Sequence, residues 1–356
     1  MRFGLVTRVP PQREGGAPHR AVLALGDGLV AEGHDVECWA WGPEEPDEEL
    51  PAWARWEPLP PDAAWRIRAR ALVRPRHGIR RAGWTPAPGA VALAEDPISY
   101  LAVDAAERSA VTFHYLTELD APALRIPRPS DVQDWRAEHY AARRAKLVFA
   151  FSDRVARVAR GRAHVVPIAY PVPDEPLPPY ERPVALLFAN WMWPPNARAL
   201  KWMLELWPEV RTRVTGAELV LAGWGLDAMG VNPGAGVRVI GSVARSVDAL
   251  AQASVLAFPC PPTSGPKVKI IEALAYGVPA VTTEYGVEGV WLGSGEGAVV
   301  ADRAGFAAAL SATLADPAER QRLGSTGRAA VVANHSGVAA ARQRVAACAE
   351  HFGLTV

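Results

Sequence analysis

Ser264-Gly265-Pro266-Lys267-Val268-Lys269-Ile270-Ile271-Glu272-Ala273-Leu274-Ala275-Tyr276-Gly277-Val278-Pro279 is the stretch on which the reading of this chain turns. The apolar run Ser254 to Pro259 precedes it as a buried strand, and Ala280-Val281-Thr282-Thr283 follows as another. Between them the pattern predicts a helix from Lys267 to Tyr276, stopped by Gly277-Val278-Pro279. A strand, a glycine-bearing loop and a helix in succession make an anion site. The first amides of a helix lack acceptors within it and carry the positive end of its dipole, so a diphosphate can dock at Ser264-Gly265-Pro266-Lys267. Gly265 lets a ligand approach the backbone, Pro266 suits a first helical position, and Lys267 and Lys269 add charge beside the turn. Glu272 comes about one and a half turns in, where its carboxylate can accept from two neighbouring ribose hydroxyls. Such turns are also ordinary punctuation in α/β proteins, and the layout alone leaves both readings open.

Working outward, the same grammar occurs twice. Residues 2–9 read as a first strand, Pro18 to Glu32 as a helix closed by Gly33, and His34 to Ala40 as a second strand. Val91-Leu93 and Ala110-Phe113 read as further short buried strands. Ala145-Phe151 then leads through the N-cap Ser152 into a helix, and Val165-Val166-Pro167 closes the unit. Seven prolines fall in the seventeen residues from Pro167 to Pro183, which suits a stiff linker. The grammar restarts with the strand Val184-Ala189, a turn, and a helix from about residue 197 to 213. Strands at Glu218-Ala222 and Val237-Ile240 follow, then a helix near Val247-Gln252. Two late helices are expected near Arg303-Ala315 and Ser336-Phe352. Between Pro43 and Pro88 the period is lost, and irregular exposed structure is expected.

Bulk composition fits two ordinary domains. The chain has 356 residues, 49% apolar and 21% charged, so each half can bury a core. Its 38 basic and 38 acidic side chains cancel, which leaves no global field to attract nucleic acid or an anionic membrane. Cys38, Cys260 and Cys348 are widely spaced, with no ligand or disulfide pattern, and read as reduced core thiols. No run approaches the roughly 18 apolar residues of a membrane span, and the first residues are too short an apolar stretch for a signal sequence. A cytoplasmic protein is the expectation.

The segment Gly265-Pro-Lys-Val-Lys-Ile-Ile-Glu-Ala-Leu-Ala-Tyr-Gly-Val-Pro-Ala-Val-Thr-Thr283 closely resembles the donor-binding signature of GT-B glycosyltransferases, notably the retaining family of glycosyl transferases group 1. The resemblance continues through Gly286-Val287-Glu288-Gly289 and ends in Asn334-His335-Ser336. It implies an α/β protein of GT-B fold, two Rossmann-like domains facing each other across a cleft. Their expected extents are 1–170 for an acceptor-binding domain, 171–183 for the linker and 184–335 for a donor domain, with helix 336–356 packing back toward the first domain.

It also implies roles. The helix start at Gly265, Pro266, Lys267 and Val268 would bind the donor diphosphate and Glu272 the ribose. Gly15 and Gly16, in Arg13-Glu14-Gly15-Gly16, match a glycine loop facing the donor phosphates. His114, at a strand end, matches a histidine near the transferred sugar, where it would bond a sugar hydroxyl or orient the acceptor. Val243 and Arg245 lie in the loop against which the nucleotide base rests. His114 and Lys269 are the expected catalytic groups. No metal is expected, because in this fold the helix dipole and basic side chains meet the charge on the leaving phosphate. Asp131-Val132-Gln133-Asp134 and Asp27-Gly28 do not make a DxD-type metal motif. The only co-substrate implied is a nucleoside-diphosphate sugar, and the acceptor is an unidentified small molecule or glycan.

Two features depart from the family pattern. Many members carry a second glutamate eight residues before the ribose-binding one, usually in contact with the transferred sugar, and this chain has Ser264 there. Sugar contacts are therefore expected from Thr263, Ser264 or backbone groups. The loop after the first strand of the second half often supplies an Arg and a Lys, yet here reads Asn190-Trp191-Met192-Trp193-Pro194-Pro195-Asn196. Trp191 and Trp193 are candidates to line the cleft, with a packing role equally open in a chain of 13 Trp. A GT-B nucleotide-sugar epimerase and a non-catalytic nucleotide-sugar-binding protein remain as alternatives. A dehydrogenase is disfavoured because no GxGxxG follows the first strand, and a pyridoxal phosphorylase because it needs a much longer chain.

Overall fold

The protein is described by a computed structural model covering residues 1–42, 45–58, 85–120, 129–159, 161–231 and 233–355. It divides into two compact units, Met1–Pro171 with Ser336–Val356, and Val172–His335. Each is a doubly wound α/β unit built on one parallel sheet.

The first sheet has seven strands: β1 (Arg2–Thr7), β2 (Asp35–Gly42), β3 (Ala54–Pro58), β4 (Val91–Ala94), β5 (Ser109–Phe113), β6 (Leu147–Ala150) and β7 (Ala163–Val165), in the order β3-β2-β1-β4-β5-β6-β7. The second has six: β8 (Val184–Phe188), β9 (Glu218–Ala222), β10 (Val237–Gly241), β11 (Val255–Phe258), β12 (Ala280–Thr282) and β13 (Ala298–Val300), in the order β10-β9-β8-β11-β12-β13. Every pairing is parallel. Central strands such as β4 and β11 are buried at every residue, as expected where helices cover both faces, and so they read as continuous apolar runs. In each sheet the order reverses at one place, between β1 and β4 and between β8 and β11. Open α/β sheets bind ligands at the carboxyl edge of such a switch point.

Several expectations needed correction. The strand β3 lies inside the stretch read as irregular, pairing with β2 as the sheet's edge, and residues 43–44 and 59–84 of that stretch lie outside the described residues. The single-turn helices Tyr100–Val103 and Thr117–Asp120 were not expected, nor were two long ones, Pro129–Arg144 and Pro317–His335. The last was hidden because its buried face is built on Gly324, Gly327 and Ala330, with few large aliphatics to mark a period. A Cβ on Gly324 would stand 2.1 Å from the Gly277 carbonyl oxygen, so the small residue is what permits contact there.

The final helix, Gly337–Phe352, packs within the first unit against the helix Ala17–Ala31. The two backbones approach through glycines: a Cβ on Gly28 would lie 2.1 Å from the Gly337 oxygen, and one on Gly337 would lie 2.1 Å from the Ala24 oxygen. Arg342 bonds Glu32 at 2.7 and 3.0 Å at the rim of this contact. A methyl group cannot fit against a backbone carbonyl, so Gly28→Ala is expected to destabilise the first unit by about 1–3 kcal/mol, the usual cost of overpacking. Chemical denaturation would show this as a lower midpoint; an unchanged midpoint would mean the helices slide apart freely.

Candidate active site

At the switch point of the second sheet, β11 ends at Phe258 and the chain runs through residues 259–267 into the helix Val268–Ala275. Gly265 sits in the left-handed region, at φ 73°. Lys267 holds the N-cap position with a non-helical backbone, φ −93° and ψ 85°. Pro266 therefore precedes the cap and is not the first helical residue as expected. The reason is local: the Lys267 amine turns back to donate to the carbonyls of Ser264, at 3.0 Å, and Gly265, which tightens the turn before the helix begins. The amides of Val268 and Lys269 open the helix, while that of Ile270 donates to the Lys267 carbonyl at 2.8 Å. Thr263 and Ser264 are buried in the loop wall.

Lys269 donates from Nζ to Asn196 Oδ1 at 2.9 Å and stands 3.9 Å from the Phe258 ring centroid. Burial pulls its pKa down to about 7, and the neighbouring Lys267 pulls the same way. An anion bound beside it would favour the charged form. One turn on, Glu272 is 2% exposed and accepts a hydrogen bond from the Ser246 hydroxyl. Ser246 opens the helix that follows the 242–245 loop, so the carboxylate is tied to the loop holding Val243 and Arg245. Arg245 is the N-cap residue there, and its guanidinium pairs with Asp248 at 2.9 Å in solvent, where such a pair contributes little to stability.

Asn196 and Ser246 were not singled out from sequence. Asn196 lies in the first turn of the helix Pro194–Arg213, buried, with its amide donating to the Asn190 carbonyl at 2.7 Å and its oxygen facing Lys269. It carries the site's polarity in the loop from which cations are missing. Of the two roles open to Trp191, the structure shows the packing one. Trp191 is 1% exposed, and its indole N–H bonds the Ala222 carbonyl at 3.0 Å, so it ties the ends of β8 and β9 together. Trp193 is exposed.

Gly15, Gly16 and His114 belong to the first unit. Gly16 is the N-cap of the helix Ala17–Ala31, directly after the β1 loop, and Gly15 precedes it at φ 116°. His114 follows β5, its ring edge-on to Phe151 at 4.8 Å between centroids. Burial pushes its pKa down to about 4, so the imidazole is neutral at physiological pH, and its Nε2 is buried without a hydrogen-bond partner. The same sheet edge holds charged groups that no sequence motif marks. Arg8 Nε contacts Asp96 at 2.9 Å, and the carboxyl of Glu95, buried beside Thr112, is raised in pKa by burial.

Two doubly wound parallel sheets in one chain, the second with a glycine loop, a helix start and a buried carboxylate one turn on, make the two-sheet α/β architecture of the GT-B fold. Residues 182–316 match the model of the family described as Glycosyl transferases group 1, which bears out the resemblance read from Gly265 to Thr283. Among solved structures, the chain is similar to sucrose-phosphate synthase from Thermosynechococcus elongatus, at 16% identity over 99% of both chains with a TM-score of 0.70. It is also similar to an S. aureus TarM mutant in complex with Fondaparinux, alpha-GlcNAc-glycerol and UDP, at 7% identity over 98% of this chain and 99% of that one, TM-score 0.72. HepE of Anabaena, in complex with UDP, aligns at 12% identity over 98% and 100% of the two chains, TM-score 0.65. No curated protein matches the chain in sequence.

Proposed function

We propose that the chain moves a sugar from a nucleoside-diphosphate sugar to a small-molecule or glycan acceptor, with retention of anomeric configuration and without a metal. The observation that carries this reading is the arrangement at one helix start: the amides of Val268 and Lys269, the Lys269 ammonium, and Glu272 one turn further on, held by Ser246. The helix dipole and Lys269 meet the charge that develops on the leaving diphosphate, a role that needs no reorganisation during the reaction. For Gly15, Gly16 and His114 the proposed roles toward the donor phosphates and a sugar hydroxyl rest on the family resemblance alone. Val243 and the backbone near Arg245 would rest against the base. Retention rests on the family resemblance alone. No cofactor beyond the sugar nucleotide is invoked, and three free, buried cysteines suit a reducing cytoplasm.

UDP is the first nucleotide to test, because the TarM mutant and HepE structures hold it. A thermal-shift screen of UDP, GDP and TDP should raise the melting temperature with at least one of them. Donor turnover with and without candidate acceptors then separates a transferase from a protein that only binds sugar nucleotides. EDTA is expected to leave that turnover unchanged, and a strict Mg²⁺ requirement would contradict the metal-free scheme.

A further inference from the structure

The backbone N–H of Gly265 does not point at an empty anion site. It donates to Glu288 Oε1 at 3.2 Å. Glu288 lies 23 residues downstream, in the loop that follows β12. That loop is fastened to the one after β11 by two side chains: the Thr282 hydroxyl donates to the Phe258 carbonyl at 2.7 Å and the Thr283 hydroxyl to the Cys260 carbonyl at 2.6 Å. Gly286 lets the loop fold back, since a Cβ there would stand 1.8 Å from Thr282 Oγ1. The result is a carboxylate delivered next to Ser264 and three residues ahead of the helix start.

That carboxylate takes the Gly265 amide expected to meet the diphosphate and would repel the group, which is left to the helix-start amides of Val268 and Lys269. The carboxylate is well suited to accept hydrogen bonds from hydroxyls of a neutral group joined to that diphosphate. We propose that Glu288 is the carboxylate that receives the hydroxyls of the transferred sugar, reaching from the β12 loop to a place where the main motif carries only Ser264. This inference rests on the reading of the site as a sugar-nucleotide site, and it makes Glu288 a determinant of which sugar is accepted.

The test uses calorimetry of the full chain with UDP and UDP-glucose, and in parallel with GDP and GDP-mannose. Glu288→Gln is the informative variant, because glutamine still offers an oxygen to the Gly265 amide and so preserves the loop clamp while removing the charge. For the nucleotide that binds, the expected result is unchanged or slightly tighter binding of the diphosphate alone, with roughly tenfold weaker binding of its sugar ester. Glu288→Asp, too short to keep the same reach, should also weaken only the sugar ester, and it carries the test if the glutamine variant does not fold. Equal changes for the diphosphate and its ester, or no change in either, overturn the proposal and leave Glu288 a loop clamp. A wild-type chain that binds neither diphosphate overturns the sugar-nucleotide reading and the proposal with it, whereas Glu272→Ala losing the diphosphate while Glu288→Gln changes nothing overturns the proposal alone.

Discussion

Glu272→Ala should weaken binding of the nucleoside diphosphate by about a hundredfold or more while the protein stays folded. Two charge-assisted hydrogen bonds to ribose hydroxyls, at about 1.5–3 kcal/mol each, set that scale. The structure adds a check that the sequence did not supply. Because the half-buried Ser246 hydroxyl donates to Glu272, the alanine variant removes that hydrogen bond as well as the ligand contact, a cost of about 1 kcal/mol in stability. Glu272→Gln keeps an acceptor for Ser246 and separates the two effects: stability should recover and binding should remain weak. Ser246→Ala should have a smaller effect on binding, since it frees the carboxylate to turn without removing it. Calorimetric titration with UDP, alongside thermal unfolding, measures both. Unchanged affinity in the alanine variant would remove Glu272 from the ribose role.

What the sequence made legible follows from how local each signal is. The strand, loop and helix from Val255 to Ala275 are contiguous, so the anion site could be read from one stretch, and the apolar runs of buried parallel strands such as Val184–Phe188 stand out for the same reason. Partners brought in from other strands carried no such signal. Asn196 meets Lys269 across 73 residues and Ser246 meets Glu272 across 26, and neither spacing repeats anything in the chain. The exposure of the loop tryptophans was equally invisible. Trp191 and Trp193 are two residues apart, yet one is sealed against Ala222 and the other is open to solvent. The boundary error at Pro266 was of another kind, because proline is compatible with the first helical position and only the backbone angles at Lys267 show that the helix starts later. The helix Pro317–His335 was missed because glycine and alanine pack it, and small residues leave a weak hydrophobic period.

The second large effect is expected at Lys269, and it should appear with opposite signs in function and in stability. Burial holds its ammonium at a pKa of about 7 against an ordinary value of 10.5. A bound diphosphate favours the charged form, so donor binding takes up a proton, and affinity should be greatest at or below about pH 7 and fall as the pH rises above it. The free protein behaves otherwise. Between about pH 7 and 10.5 the unfolded chain holds this proton while the folded chain has released it, so the unfolding free energy contributed by this group rises with pH across that window. Lys269→Met keeps most of the stem that packs over Phe258 and removes the charge. Turnover should fall by roughly 10²–10³-fold, the scale seen when one preorganised electrostatic donor is lost. Stability at pH 7 should hold or increase, because a costly buried ammonium has gone, offset in part by the Asn196 oxygen losing its donor. The variant should also lose the fall in donor affinity above pH 7. If Lys269→Met binds and turns over donor like the wild type, the helix amides alone stabilise the leaving group; if it unfolds, Lys269 serves the packing of the loop, and its proximity to the anion site has a structural cause.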